Sequence, residues 1–360
     1  MTVGERRLTP SPYLGGATAY RPPRPAAASR VTLRLDGNEG QPPPARLVEE
    51  IASAGLDIVR RYPDASGLER ALAESMGVDP GRVIVTAGGD DAIERTVRTV
   101  LAPGRSMVLP VPTFEMFERY AALAGCDVVR VPWASGGFPV DGIRAAMRDD
   151  TAMVVAVTPN SPTGLAASRQ ELEATAAACR GALLLVDLAY VEFADEDLTG
   201  FVLGLPDAVV VRSMSKAWGM AGLRVGWAAG PAGIIGWMRA AGHPYAVSGP
   251  SLFLAAARIE GGRRGIDEFV SCVRREREAL SLELAALGAS VLPSQANFLL
   301  ARFGDADAVF EGLAERGIGV RIFPGKPLLD GCLRITLPGR DDEFERLVKA
   351  LREVVKGDRA

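Results

Sequence analysis

A chain of 360 residues, 48% apolar and 24% charged, is long enough to bury a large core in one domain or two and has the balance of an ordinary globular protein. Its formal charge of −3 argues against a partner recognised through phosphate neutralisation, such as nucleic acid, and apolar runs such as 182–186 and 208–211 have strand length, too short to span a membrane. The four cysteines (Cys126, Cys179, Cys272, Cys332) form no CxxC pair and the one histidine, His243, lies between Gly242 and Pro244, so a metal centre, a disulfide framework and a histidine-based nucleophile are disfavoured, and reduced thiols in a cytoplasmic protein are expected.

Residues 1–30 are rich in Pro, Gly and Ala and show no periodicity; their arginines loosely suggest a transit peptide, but there is no apolar signal core and the prolines break a helix, so the segment reads as an irregular arm. Strand-like apolar runs then recur at 83–86, 107–111, 128–131, 153–157, 183–186 and 209–211. Between the first two, Ile93, Val97, Val100 and Leu101 fall on one helix face, with Asp90 and Asp91 where an N-cap would stand. Two more capped helices are expected from Asp141 and over 168–179. Strands alternating with helices imply a mainly parallel sheet covered on both faces, with ligands at the strand C-terminal ends. After about residue 255 the rhythm changes to a long charged helix near 266–287, short strands at 298–301, 320–323 and 333–336, and a final helix over 341–355, which reads as a smaller α+β unit. The expected division is an arm and small-domain segment over 1–44, a large domain over 45–255 and a small domain over 256–360.

Five elements at expected strand ends carry chemistry. In Ser213-Met214-Ser215-Lys216-Ala217-Trp218-Gly219, with Arg224 eight residues past the lysine, an amine stands between hydroxyls and near a guanidinium, an arrangement suited to a phosphorylated aldehyde. Taken alone, the run is equally a surface lysine in a serine-rich turn. Asp187 ends an apolar strand, where a buried carboxylate needs a cationic partner such as a protonated pyridine nitrogen; the other reading is an aspartate capping the next turn. Tyr190 is placed to reach a ring hydroxyl. Gly88, Gly89 and Asp90 stand at a helix start, where backbone N–H groups can approach a phosphate; there is no dinucleotide or Walker signature, and taken alone the run reads as a plain β–α turn. Phe114, in Pro112-Thr113-Phe114, can stack on a flat ring or be core, and 159–164, with Asn160 and Ser161, is a turn whose amide or hydroxyl can touch a cofactor.

In order and company these elements resemble the fold-type I pyridoxal 5′-phosphate (PLP) aminotransferases, and within them the histidinol-phosphate aminotransferases. The resemblance runs from about Tyr20 to the last helix and adds Leu35-Asp36-Gly37-Asn38-Glu39, Arg61-Tyr62-Pro63-Asp64, Ser294-Gln295-Ala296-Asn297-Phe298 and Gly331-Cys332-Leu333-Arg334-Ile335-Thr336. It implies an α/β fold: a large PLP-binding domain with a mainly parallel seven-stranded sheet flanked by helices, plus a smaller α+β C-terminal domain. It further implies that Lys216 holds the cofactor as a Schiff base and moves the proton. Asp187 would pair with the pyridine nitrogen, Tyr190 with the ring hydroxyl, and Phe114 would stack on the ring. Gly89, Asp90, Ser213, Ser215 and Arg224 would surround the phosphate, and Tyr62 would reach the phosphate of a neighbouring subunit in a homodimer with shared sites. Arg334, Arg321 and Tyr20 would take the anionic parts of small amino- and keto-acid substrates.

The sequence departs from the family at three places. Ser161 stands where asparagine is usual, so the ring contact is lost, bridged by a water, or taken by Ser161 or Asn160; Leu188 replaces an acid; and Asn38-Glu39-Gly40-Gln41 replaces Asn-Glu-Asn-Pro. The expected activity is amino transfer from L-histidinol phosphate to 2-oxoglutarate. The alternatives are an aromatic amino-acid aminotransferase, a PLP-dependent decarboxylase of a phosphorylated amino acid, and the effector domain of a transcription regulator, for which the proline-rich arm is too short to hold a helix-turn-helix.

Overall fold

The structure is a computed structural model and describes residues 11–14 and 23–357; Tyr20 lies outside the described residues. Seven strands form the large sheet: β1 (Val83–Thr86), β2 (Ser106–Val111), β3 (Asp127–Pro132), β4 (Thr151–Val157), β5 (Leu183–Asp187), β6 (Ala208–Ser213) and β7 (Gly226–Ala229). Their order is β1-β7-β6-β5-β4-β2-β3, and only β7 runs antiparallel to its neighbours.

The strands read as continuous apolar runs because both faces are buried. Along β4, Met153 and Val155 enter the core on one face while Val154 and Ala156 enter the core on the other, and Leu183 to Val186 of β5 divide in the same way. On the first face α1 (Gly88–Val100) packs Ala92, Ile93 and Val97 against the strands. Residue types alone do not fix its start. The helix begins at Gly88 with Ala87 as N-cap, and Asp90 and Asp91 lie inside the first turn. Asp91 accepts from the Ala87 N–H at 2.8 Å and pairs with Arg95 at 2.9 Å, so it closes the helix start from within. The second expected cap fails similarly: that helix is Val140–Ala146, preceded by Pro139, with Asp141 in its first turn. The third is a full capping box, in which Ser168 and Glu171 satisfy each other's backbone N–H groups.

The smaller α+β unit holds a four-stranded antiparallel sheet of β8 (Ser290–Val291), β9 (Phe298–Arg302), β10 (Arg321–Ile322) and β11 (Cys332–Thr336), ordered β10-β11-β9-β8. Helices Arg264–Ala286 and Asp341–Gly357 accompany it. A short strand, Leu33–Arg34, pairs in parallel with Ile318–Gly319, which ties the segment after the arm to this unit. One continuous helix, Gly249–Glu260, crosses the position expected as a boundary and packs on helix Ser66–Met76. Four strand segments escape the sequence pattern. Leu33–Arg34, Ser290–Val291 and Ile318–Gly319 are too short for a period to register, and β7 (Gly-Trp-Ala-Ala) is too poor in β-branched residues.

Candidate active site

Because β1 and β6 flank the single antiparallel strand, both are parallel to the rest, and the C-terminal ends of β1, β2, β4, β5 and β6 share one edge. Thr86 and Ser213 both pair with Gly226 at the start of β7. A Cβ on Gly226 would lie 2.5 Å from the Gly88 carbonyl carbon and 2.7 Å from the Gly89 nitrogen. Glycine there lets the start of α1 approach the sheet.

Along this edge lies a cleft of about 630 Å³. Lys216, Tyr190, Phe114, Ser161, Arg321 and Arg334, all singled out in the sequence, line it. Lys216 Nζ donates to the Gly37 carbonyl at 3.0 Å and lies 5.5 Å from the centre of the Tyr190 ring. Arg321 and Arg334 stand directly opposite each other in the β10/β11 ladder. Cross-strand partners share a face, so thirteen residues of sequence separation become two neighbouring guanidinium groups at one wall. Arg334 donates to Ser161 Oγ at 3.0 Å and to the Asp36 carbonyl at 2.7 Å, and Arg321 lies 3.7 Å from the Glu115 carboxylate. Planar cations so placed suit a carboxylate or phosphate.

Asp187, Gly89, Asp90, Ser213, Ser215 and Arg224 do not line that cleft. They gather beside it, and Asp187 feels the charges of both Lys216 and Asp90. Burial pushes the Asp187 carboxyl up to about 7, against the lowering effect of the Ala189 N–H at 3.0 Å; Asp90 adds to the rise and Lys216 opposes it. A carboxyl held this way gains most from a cation placed against it. Arg224, in the left-handed region at φ 54°, aims its guanidinium at Ser215 Oγ (3.4 Å) and at the Asp90 carboxylate (3.4 Å). The same guanidinium crowds Gly88, where a Cβ would meet it at 2.5 Å. Ser213 Oγ accepts from the Ser215 N–H at 3.1 Å. Helix-start N–H groups, two hydroxyls and a guanidinium thus stand together, an arrangement whose chemistry suits an anion.

Asn160 and Tyr62, to which the resemblance gives cofactor contacts, do not line that cleft. Asn160 is fully buried and its amide is spent: it donates to the Pro112 carbonyl and Thr163 Oγ1, both at 2.8 Å, and accepts from Thr113 Oγ1 at 2.7 Å. It fastens two strand-end loops together, and Ser161 alone of the pair faces the cleft. Tyr62 is 81% exposed, is not among the residues lining this cleft, and stacks on Tyr245 with ring centres 4.6 Å apart.

Residues 36–38 carry no assigned role in the sequence reading, yet each meets a key side chain: Asp36 meets Arg334, Gly37 meets Lys216, and Asn38 donates to the Tyr190 hydroxyl at 3.0 Å. Only Asn38 leaves a sequence trace, since asparagine tolerates the left-handed backbone (φ 56°) it adopts. Its partner lies 152 residues away, and no periodicity reports such a contact.

With this geometry in view, the chain was compared with known proteins. The pattern of the family "Aminotransferase class I and II" matches residues 34–351. Histidinol-phosphate aminotransferase of Roseiflexus castenholzii is 37% identical over 340 residues, covering 89% of each chain; that of Chlorobium chlorochromatii is 33% identical, covering 92% of this chain and 97% of its own. The crystal structure of histidinol-phosphate aminotransferase from Sinorhizobium meliloti in complex with pyridoxal-5′-phosphate superimposes with a TM-score of 0.86 at 25% identity, covering 98% of this chain and 99% of that one. N-succinyldiaminopimelate aminotransferase from Mycobacterium tuberculosis superimposes with a TM-score of 0.79 at 25% identity, covering 91% and 95%.

Proposed function

The chain belongs to the class I and II aminotransferase family, and on that premise we propose that it carries PLP on Lys216 and moves an amino group from L-histidinol phosphate to 2-oxoglutarate in a two-stage exchange. The observation that carries the reading is that Lys216 lines one cleft with the paired arginines Arg321 and Arg334 while its charge reaches the buried carboxyl of Asp187.

The residues fit the cofactor. A protonated ring nitrogen is the cation that the raised Asp187 carboxyl favours. The start of α1 with Ser213, Ser215 and Arg224 suits a phosphate, and Phe114 and Tyr190 suit a flat ring bearing a hydroxyl. When bound, PLP supplies an electron sink for the bond broken at the donor's α-carbon. Lys216 Nζ, which lines the cleft, would take the α-proton and return it. Arg334 and Arg321 orient the donor by its anionic end, and the Phe114, Phe323 and Leu329 side chains shape an apolar wall for its body.

The curated relatives named histidinol-phosphate aminotransferase support the donor assignment. The test is a panel of amino donors scored one half-reaction at a time from the cofactor's colour. Histidinol phosphate is expected to react at least about tenfold more efficiently than histidinol, the discrimination that one or two charged hydrogen bonds provide. Equal rates for phosphorylated and unphosphorylated donors would refute the donor assignment and leave amino transfer standing.

The same reading includes a homodimer with shared sites. It is supported by the Tyr62–Tyr245 stack together with Leu56 and Val59, all exposed on one chain. Sedimentation of the protein at micromolar concentration tests it, and a monomer there overturns it.

A further inference from the structure

Asn38 is 1% exposed, and every polar group the structure shows on it is engaged. Its backbone N–H donates to Thr336 Oγ1 at 3.3 Å, Thr336 Oγ1 donates to Asn38 Oδ1 at 2.8 Å, and Asn297 Nδ2 donates to the Asn38 carbonyl at 3.2 Å. A hydroxyl has one proton. In this arrangement the proton of Thr336 goes to the amide oxygen of Asn38, which turns the amide nitrogen toward Tyr190 at 3.0 Å. The phenol oxygen therefore accepts from Asn38, and its own proton is free for an acceptor in the cleft that Tyr190 lines.

We propose that Asn38 is a positioning residue that fixes Tyr190 as a hydrogen-bond donor toward the cofactor's ring oxygen, with Thr336 setting the orientation of the Asn38 amide. The inference rests on the PLP reading above. Three elements meet at this point: the segment after strand Leu33–Arg34, the end of β11 and the turn after β5. Phe298 of β9 packs edge-on against the Tyr190 ring at 5.3 Å, which limits how far the phenol can swing. The charged groups around the phenol are Lys216, 5.5 Å from its centre, Asp187 three residues earlier on β5, and Arg334, 5.3 Å from the Phe298 ring.

A donor at the ring oxygen draws off its negative charge and weakens its hold on the proton of the lysine-bound chromophore. Losing that donor makes the chromophore keep its proton to higher pH. The experiment compares Asn38→Ala, Tyr190→Phe and the double variant, reading the pH midpoint of the chromophore and the dissociation constant for PLP. Asn38→Ala is expected to raise the midpoint in the same direction as Tyr190→Phe, by about half a unit to one unit, the shift one neutral hydrogen bond produces. The double variant is expected to match Tyr190→Phe alone, because Asn38 acts through the phenol. Should Asn38→Ala fail to fold, Thr336→Val removes only the orienting hydroxyl and is expected to shift the midpoint the same way by less. A wild-type midpoint in the folded Asn38 or Thr336 variant, or additive shifts in the double variant, overturns the proposal. If the wild-type protein forms no chromophore with PLP, the cofactor reading fails instead.

Discussion

The strand ends of the large sheet and the segment Leu35–Gln41 furnish one active site by different means. Asp187 and its neighbours are set by the ladder itself: the Thr158 N–H donates to the Asp187 carbonyl and the Leu188 N–H to the Val211 carbonyl, each at 2.9 Å. Moving one of these residues means breaking a sheet buried on both faces. The segment has no ladder after Arg34. It is held by the Leu35 N–H on the Gly319 carbonyl, the Thr336 N–H on the Leu35 carbonyl, polar contacts from residues 36 to 38 to Arg334, Lys216 and Tyr190, the bonds of Asn38 with Thr336 and Asn297, and the Gln41 amide on the Pro338 carbonyl. Beyond them, Gly40 and Gln41 press backbone against backbone on the lysine loop. A Cβ on Gly40 would lie 2.0 Å from the Lys216 carbonyl oxygen, and one on Gly219 would lie 1.8 Å from that of Gln41. The comparison teaches that the sheet sets where the strand-end groups stand, while the segment sets how Arg334, Lys216 and Tyr190 are oriented.

The hardest break on the strand-end side is Lys216→Ala. Amino transfer is expected to fall by roughly a thousandfold or more, the scale of a lost general acid–base, with little change in thermal melting. Borohydride labelling of that residue in the wild-type protein, and its absence in the variant, checks the assignment. Turnover of the variant at the wild-type rate would remove the foundation of the proposed mechanism.

Gly219→Ala breaks the contact between the two regions. The left-handed backbone (φ 70°) and the collision with Gln41 are expected to cost about 1–3 kcal/mol or more and to loosen PLP. Calorimetry and cofactor dialysis measure both. An unchanged melt would mean that the segment is free to retreat from the lysine loop.

Asn160→Ala and Ser161→Ala are adjacent substitutions with opposite expected signatures. The first strands partners of a buried amide and should lower stability by about 1–3 kcal/mol. The second loses one bond to Arg334 and should raise KM for the donor severalfold at nearly constant melting temperature. If the two signatures were exchanged, the placement of the pair in the turn would be wrong.

A pH slope sharpens the comparison further. Asp187, and also Glu276, whose buried carboxyl is likewise pushed up to about 7, hold protons in the folded polypeptide that the unfolded chain has already released. Their contribution is therefore fully present at acid pH and is lost as pH rises through about 7. The protein without PLP should lose up to about 1.4 kcal/mol per pH unit for each group over that window. Asp187→Asn should flatten the slope, and PLP, by pairing the carboxylate, should do so in the wild-type chain. Melting curves between acid and mildly alkaline pH read this directly, and a slope indifferent to both changes would show that Asp187 is not desolvated.

Much of this protein was legible in its residues. The rhythm of apolar strands and amphipathic helices sets the parallel, doubly covered sheet, because burial on two faces leaves a local, periodic mark. The lysine run and the strand-end aspartate are equally local. Tertiary structure alone decided which neighbour in Asn160-Ser161 faces the cleft, why Arg321 and Arg334 act as a pair, and that Asn38 meets a tyrosine 152 residues away. Those outcomes depend on strand register and on loops that meet only after two units pack together. Backbone propensity and periodicity carry information over a few residues, whereas the orientation of a buried amide is settled by whichever partners the completed fold brings within hydrogen-bonding distance.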